Sequence, residues 1–435
     1  MAIEITNTTT LKPSSSSPPL PPLDTHIPLT VFDRAAFDLH VAIIYSFRPP
    51  MPSNQAMIEG LSKALHYFPH LAGRISLDDQ CRPCIILNDA GIRLVEARVD
   101  MTISERLPFD PSPELRQLHP SIHCTEELLQ IQLNRFSCGG LVIGLTAHHR
   151  IADGQSMSSF FLAWARLVRG LDVDPLPYHD RGSISIPRNP PHCEFDHQEI
   201  EFRQDDSPSL NPTASLSSIE NIVVHFSADF INKIKKQVID NSSGRRYSTF
   251  ECLLAHLWKK VTIARGLHHE EFTQVRVAVN GRARMKPPVP MEFFGNLVLW
   301  AYPRLRVGDL VDGSHAFIAK AIHSAVARIN NAYFQSFIDF GELYRTEEGE
   351  EMAATAPDIG NSLCPDMEVD SWLRFQFHDL DFGGGAPCAF LPPNLPVEGL
   401  LIFVPSCKEE GGVDVFMSLL PDHVDHFKQI CHSLE

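Results

Sequence analysis

Basic residues are in short supply: 37 Lys and Arg stand against 53 Asp and Glu, a formal charge of −16. A nucleic-acid binder needs a basic footprint, and an anionic membrane surface would repel this chain, so both kinds of partner are disfavoured. A local basic pocket for a phosphate ligand stays open, as does a cationic small molecule. The ten cysteines are scattered without regular spacing, which points to reduced, buried thiols rather than a disulfide framework. No run approaches the roughly 18 apolar residues of a membrane span. Residues 1–6 hold no basic segment leading into an apolar core, so no signal peptide is expected and the expected location is cytoplasmic. No internal repeat is visible.

What is present is ordinary globular material. With 43% hydrophobic residues, 21% charged residues and 27 Phe, the chain has ample substance for buried cores. Its 435 residues suit two domains of roughly 200 residues each. Residues 13–23 are a Pro/Ser-rich arm that forms neither helix nor sheet. Strands are predicted over 39–47, 84–87, 91–96, 128–136 and 141–149, and a helix over 54–65 capped by Ser53. A second helix is predicted over 156–167, with Phe160, Phe161, Trp164 and Leu167 on one stripe. Residues 171–215 are rich in Pro, Asp, His and Ser. A crossover loop is placed at 181–220, dividing the chain into 1–180 and 221–435. Beyond it, helices are predicted over 228–238, 249–263 (capped by Ser248), 315–334 and 425–431, and strands over 274–279, 295–300, 372–377, 399–404 and 413–419. Mixed helix and strand in both halves makes an α/β fold class.

One constellation carries chemistry. His148-His149-Arg150-Ile151-Ala152-Asp153-Gly154 falls where a strand runs out before a helix, a place where side chains are held rigidly yet reachable. Histidine accepts and returns a proton near neutrality, and acyl transfer needs a base for the incoming nucleophile and then an acid for the leaving group. Asp153 reads as the residue that locks the loop, and Gly154 as one that permits a turn. His148 reads as structural. No third metal ligand is placed nearby. Farther along, Asp381-Phe382-Gly383-Gly384-Gly385 is a tight loop and no dinucleotide fingerprint, because Pro387, Pro392, Pro393 and Pro396 follow it instead of a helix.

These two motifs, together with Tyr67-Phe68-Pro69-His70-Leu71-Ala72-Gly73-Arg74, Ser248-Thr249-Phe250-Glu251, Ala255-His256-Leu257-Trp258, Val279-Asn280-Gly281-Arg282 and Phe294-Gly295-Asn296, resemble the plant BAHD acyltransferase family. The resemblance implies two similar chloramphenicol-acetyltransferase-like α/β domains, mixed sheets flanked by helices, joined by the crossover loop around a solvent channel. It implies His149 as general base, Asp153 as structural, and Asp381 and Gly383 as structural with Asp381 paired to Arg282. Arg246 and Ser248 match CoA-contacting positions, where a cation beside a helix N-terminus suits phosphate. Trp372 matches a residue whose donor-only indole N–H suits an oxyanion. Acyl-CoA is a substrate, no cofactor or metal is implied, and a monomer is expected.

The chain departs from the family pattern at Gly384, where a Trp is usual, and at Ala386, where a cation is usual. Gly384, the run Glu368-Val369-Asp370-Ser371-Trp372 and the run Leu395–Leu401 are similar to the agmatine and tryptamine hydroxycinnamoyltransferase branch. By the same resemblance, Leu363 stands where relatives that use shikimate carry an acceptor-gripping Arg, and Asp370 where they carry Thr. Glu368 and Asp370 share one strand face and would attract a cationic acceptor: agmatine, putrescine, tyramine or tryptamine, acylated from a hydroxycinnamoyl-CoA. An ammonium of pKa near 10 is mostly protonated at neutrality, so activity is expected to rise toward about pH 8–9. The competing readings are an O-acyltransferase acting on an alcohol and a catalytically silent acyl-CoA-binding relative.

Overall fold

Two mixed sheets, each backed by helices, organise the computed structural model, which describes residues 1–14, 23–122, 125–204, 219–238, 246–344, 350–355 and 359–434. The first sheet runs Ile3–Leu11, Ile92–Val99, Leu129–Phe136, Leu141–His148, His40–Phe47, Ala389–Leu391. Its neighbours are antiparallel except for Ile92–Val99 beside Leu129–Phe136. The second runs Glu220–Phe226, Val413–Leu419, Leu400–Pro405, Met367–Ser371, Phe272–Asn280, Val298–Ala301, with Arg304–Arg306 also on Phe272–Asn280. It holds parallel pairs at its centre, Met367–Ser371 against both flanking strands.

Strands here follow β-branched and aromatic runs, buried on both faces at the centre: Leu141–Ala147 is buried throughout. Helices follow apolar stripes closed by side-chain caps. Ser53 caps Asn54–Tyr67 by accepting from Ala56 N, and Ser248 caps Thr249–Arg265 in a reciprocal box with Glu251. Trp164, fully buried on helix Gly154–Val168, donates its indole N–H to the Met57 carbonyl at 2.9 Å, so the two helices covering the first sheet are tied by a satisfied polar contact as well as by packing.

The halves exchange material. Ala389–Leu391 pairs with His40–Phe47, and Leu380, Phe382, Phe390 and Leu391 enter the first core, whereas Val31 and Phe32 enter the second. Residues 15–22 of the expected Pro/Ser-rich arm and 205–218 of the expected crossover loop lie outside the described residues.

Several predicted elements differ. The helix expected over 315–334 is two, His315–Arg328 and Asn331–Leu343, because the Asn330 side chain accepts from Ala332 N and Tyr333 N and starts a new helix. The strand expected over 372–377 is instead Met367–Ser371; at Trp372 the chain turns, with Phe375 N donating to the Trp372 carbonyl at 3.1 Å. Helix Gly154–Val168 begins at Gly154, which the sequence reading placed outside it. The edge strand Ile3–Leu11 went unpredicted, since its Thr-rich, largely exposed face shows little apolar alternation. Among the described residues no helix is long and apolar enough to cross a membrane.

Candidate active site

His149 follows directly on strand Leu141–His148, its N–H donating to the Leu39 carbonyl at 2.9 Å and its carbonyl accepting from Asn296 Nδ2 at 2.9 Å. The backbone is thus gripped on both sides while the residue stays partly accessible. Nδ1 is enclosed without a hydrogen-bond partner, and Nε2 is the ring nitrogen not so enclosed. Burial lowers the ring's pKa below its ordinary 6.5 and the neighbouring His148 charge adds to this, while the residue's own carbonyl, Asp153 and Asn296 oppose it. The imidazole is therefore neutral, as a base must be, at neutral pH. His148 is turned elsewhere: its Nε2 lies 3.2 Å from Asp38 and its Nδ1 accepts from Arg150 N, in keeping with a structural role.

The loop after His149 is locked by a buried network. Asp153 caps the following helix by accepting from Ser156 N at 2.9 Å, and takes Arg282 Nη1 at 2.8 Å and Nη2 at 3.0 Å. Arg282, wholly buried, also reaches Ser156 Oγ and the Phe293 carbonyl. Burial alone would raise the Asp153 carboxyl, but the Arg282 charge and four donated hydrogen bonds hold it below the ordinary range. Asp153 makes no hydrogen bond to His149; its carboxylate's bonds go to Ser156, Arg282 and Leu297. Arg282 was expected beside Asp381; it pairs with Asp153 instead. Gly154 has ordinary helical geometry, and the need for glycine is spatial: a Cβ there would lie 2.7 Å from the Phe375 ring.

A second buried set holds the carbonyl side. Asp33 accepts from Asn296 N and Nδ2 and lies 2.8 Å from Arg181, whose other Nη donates to the Ile151 carbonyl at 2.6 Å. Asp33 and Arg181 were missed in the sequence. Phe294-Gly295-Asn296 was noticed without a role; the Asn is what links Asp33 to the His149 backbone.

From His149 a chain of contacts leads to the expected acids. Phe37 meets the His149 ring edge-on at 5.8 Å. The Arg276 guanidinium lies 5.5 Å from the Phe37 ring and 4.0 Å from that of Trp300, and its Nη1 is 3.3 Å from Glu368. Glu368 and Asp370 share the face of strand Met367–Ser371 toward Arg276, as their spacing predicts, but Glu368 already has its cation. Burial raises the Glu368 carboxyl, against the Arg276 charge. Burial, with Glu368 adding to it and Arg276 opposing, pushes Asp370 up to about 7. The Asp370 carboxylate has no hydrogen-bond partner among the described residues, yet is not sealed from solvent. Leu363 does not join this group. It precedes the strand, its N–H donating to the Glu398 carbonyl and its Cβ facing Gly399 beside Arg265.

Trp372 stacks on Phe375 (6.4 Å, 23°), the ring that covers Gly154. Its indole N–H has no partner among the described residues and is not enclosed. Ser248 Oγ and N both donate to Glu251, so the helix N-terminus at the expected CoA contact is self-capped; Arg246 beside it is exposed. The Asp381 loop lies away from all this. Asp381 accepts from Gly383 N at 2.7 Å and Gly385 N at 2.8 Å and faces Arg169, the C-cap of helix Gly154–Val168, whose other end Asp153 caps. Gly383 and Gly385, at φ +110° and +98°, make the turn. Cys81 and Cys84 are spaced as CxxC, which the sequence reading overlooked; both are free, one exposed and one buried. Among the described residues no His, Cys, Asp and Glu cluster could hold a metal.

Comparison with known proteins shows the family and the fold. The profile of the Transferase family matches residues 1–434. Tryptamine hydroxycinnamoyltransferase 2 of Oryza sativa subsp. japonica is 47% identical over all of both chains. Agmatine hydroxycinnamoyltransferase 1 of the same organism is 43% identical over 94% of this chain and 93% of its own. The crystal structure of vinorine synthase superposes with a TM-score of 0.75 at 24% identity, covering 98% of this chain and 96% of that one, which shows the expected two-domain α/β fold. This chain belongs to the Transferase family, the BAHD acyltransferases that its motifs resemble.

Proposed function

We propose that the chain transfers a hydroxycinnamoyl group from its CoA thioester to a cationic amine, of the agmatine, putrescine, tyramine or tryptamine kind, with His149 as general base. The observation that carries this reading is a histidine with one ring nitrogen not enclosed, joined through Phe37 and Arg276 to Glu368, on whose strand face Asp370 stands without a hydrogen-bond partner among the described residues. The names of the relatives support the acceptor class and the donor class.

In this mechanism the amine first sheds its extra proton to solvent. Its nitrogen then attacks the thioester carbon while His149 Nε2 removes an N–H proton. The carbonyl electron pair moves onto oxygen, where the Trp372 indole N–H is the available donor. Collapse re-forms the carbonyl and breaks the C–S bond, and the imidazolium returns its proton to the departing sulfur. The products are an amide and free CoA thiol. Asp153, Arg282 and Asn296 hold the His149 backbone and loop and touch no reactant. Arg246, exposed beside the capped helix start at Ser248, is assigned to the CoA phosphates.

The test is to incubate the protein with coumaroyl-CoA and each of agmatine, putrescine, tyramine, tryptamine, shikimate and quinate, reading thiol release and product mass together. Turnover with amines and none with the two acids is expected. Preference for either acid would overturn the acceptor assignment.

A further inference from the structure

The acidic recess already contains a cation of its own. Arg276 comes from the neighbouring strand Phe272–Asn280, where Arg276 is in register with Glu368. It is buried, lies over the Trp300 ring and beside Phe37, and shares Nη1 between Glu368 and the Thr355 carbonyl. A carboxylate and two aromatic rings are what a pocket for a cation presents to its ligand. Here the chain supplies the cation. The other charged groups nearby do not alter the balance facing a ligand. Glu199 is 1% exposed and takes the Tyr333 hydroxyl at 3.2 and 3.1 Å, and the Tyr302 phenol is pushed up by burial and stays neutral. What remains around Asp370, which is not sealed from solvent, is one buried ion pair, Arg276 with Glu368.

Resting on the amine-acyltransferase reading above, we infer that Arg276 is a specificity-determining residue: by occupying one of the two cation positions offered by Glu368 and Asp370, it fits the recess to an acceptor carrying a single positive charge, an arylalkyl monoamine, in preference to a diamine or guanidinoamine. A dication entering the recess meets Arg276 with only Asp370 to offset its second charge, and Asp370, held near neutrality by the same surroundings, ionises reluctantly. A monoamine, whose only ammonium is the reacting one, leaves no second charge to place, and its aromatic end can meet the Phe37 ring, which is not buried. Without the guanidinium, Glu368 would be released and the recess would carry two acids for a second cation.

The experiment measures kcat/KM with coumaroyl-CoA for tryptamine and tyramine against agmatine and putrescine, in the wild type, Arg276→Gln, Arg276→Lys and Glu368→Gln. The wild type is expected to prefer the monoamines. Arg276→Gln is expected to move the diamine-to-monoamine ratio toward the diamines by about tenfold, chiefly through KM, as one nearby unit charge would. Arg276→Lys should keep the wild-type order, and Glu368→Gln should move the ratio the opposite way. The last variant keeps the proposal testable should Arg276→Gln fail to fold. Amine acylation with a ratio that neither Arg276→Gln nor Glu368→Gln moves, or a wild type that prefers diamines, overturns the Arg276 assignment alone. A wild type that acylates no amine overturns the underlying reading as well.

Discussion

Arg282 and Asp153 meet in a two-pronged salt bridge, Nη1 to Oδ2 at 2.8 Å and Nη2 to Oδ1 at 3.0 Å, both side chains buried. It joins the loop that carries His149 to the other half of the molecule. Removing one partner leaves an uncompensated buried charge, so Arg282→Met or Asp153→Asn should cost about 3–5 kcal/mol, read as a lowered denaturant midpoint. Turnover should fall with it, because the His149 loop loses its clamp. A variant that melts like the wild type would contradict the assignment of Asp153 as a clamp.

Asp370 carries the second prediction. Its carboxyl is ordinary in the unfolded chain, at 3.8, and sits at about 7 in the fold, so ionisation is disfavoured in the native state. As pH rises between those values the unfolded chain gives up its proton before the folded one, and stability falls; above about 7 the loss is complete. Asp370→Asn, with no charge to bury, should therefore melt higher than the wild type at pH 8 and nearly level with it at pH 4. Its kcat/KM for a cationic acceptor should drop by about 10- to 100-fold at pH 8.

Gly384 carries the third. A Cβ there would lie 2.2 Å from the Pro50 carbonyl oxygen, a backbone atom. Restoring the family's usual aromatic with Gly384→Trp should destabilise by about 1–3 kcal/mol and leave kcat unimproved, since the loop sits at the far end of helix Gly154–Val168 from His149. A Trp variant of wild-type midpoint would contradict the close approach.

These cases show what sequence could convey. The strands at 39–47 and 141–149, the helix after the HxxxDG motif, and the caps at Ser53 and Ser248 were legible because apolar period and cap chemistry are local. His149 was legible because it stands at a strand end within a recognisable motif. The pairing of Arg282 was not: Asp153 and Asp381 both stand in family motifs, before Gly154 and before Phe382-Gly383, and only the fold decides which one the guanidinium reaches. Asp33, Arg181 and Arg276 were missed because nothing beside them in the chain marks an Asp or Arg as buried. Asn330 was a legible helix break, an Asn-Asn pair overlooked inside a long apolar pattern. The strand Ile3–Leu11 carries too little apolar alternation to be seen.

A buried histidine pair should weaken the fold in acid. His256 Nε2 donates to the Cys431 carbonyl at 2.6 Å, so its Nδ1 accepts from His315 Nε2 at 3.1 Å. Burial drives His256 down to about 3, with His315 and Lys260 adding to it against the Cys431 carbonyl; burial with Lys259 and Lys260 drives His315 down to about 4. Both are neutral in the fold, while the unfolded chain takes up protons near 6.5. Their contribution is whole above that pH and is lost as pH falls toward 4 and then 3. His315→Gln keeps the donor and removes one titration. It should reduce the pH slope of unfolding free energy between about pH 4 and 6 by about 1.4 kcal/mol per unit, measured by denaturant titration; an unchanged slope would contradict it.

The most direct test of the central claim is single-turnover transfer from coumaroyl-CoA to tryptamine at pH 8 in the wild type and in His149→Ala, with acyl-CoA binding and thermal midpoint measured on the same samples. The account predicts that the wild type forms the amide and that His149→Ala loses about 10²- to 10⁴-fold in rate while binding and midpoint stay near wild type. Amide formation by His149→Ala within tenfold of the wild-type rate would contradict His149 as the base.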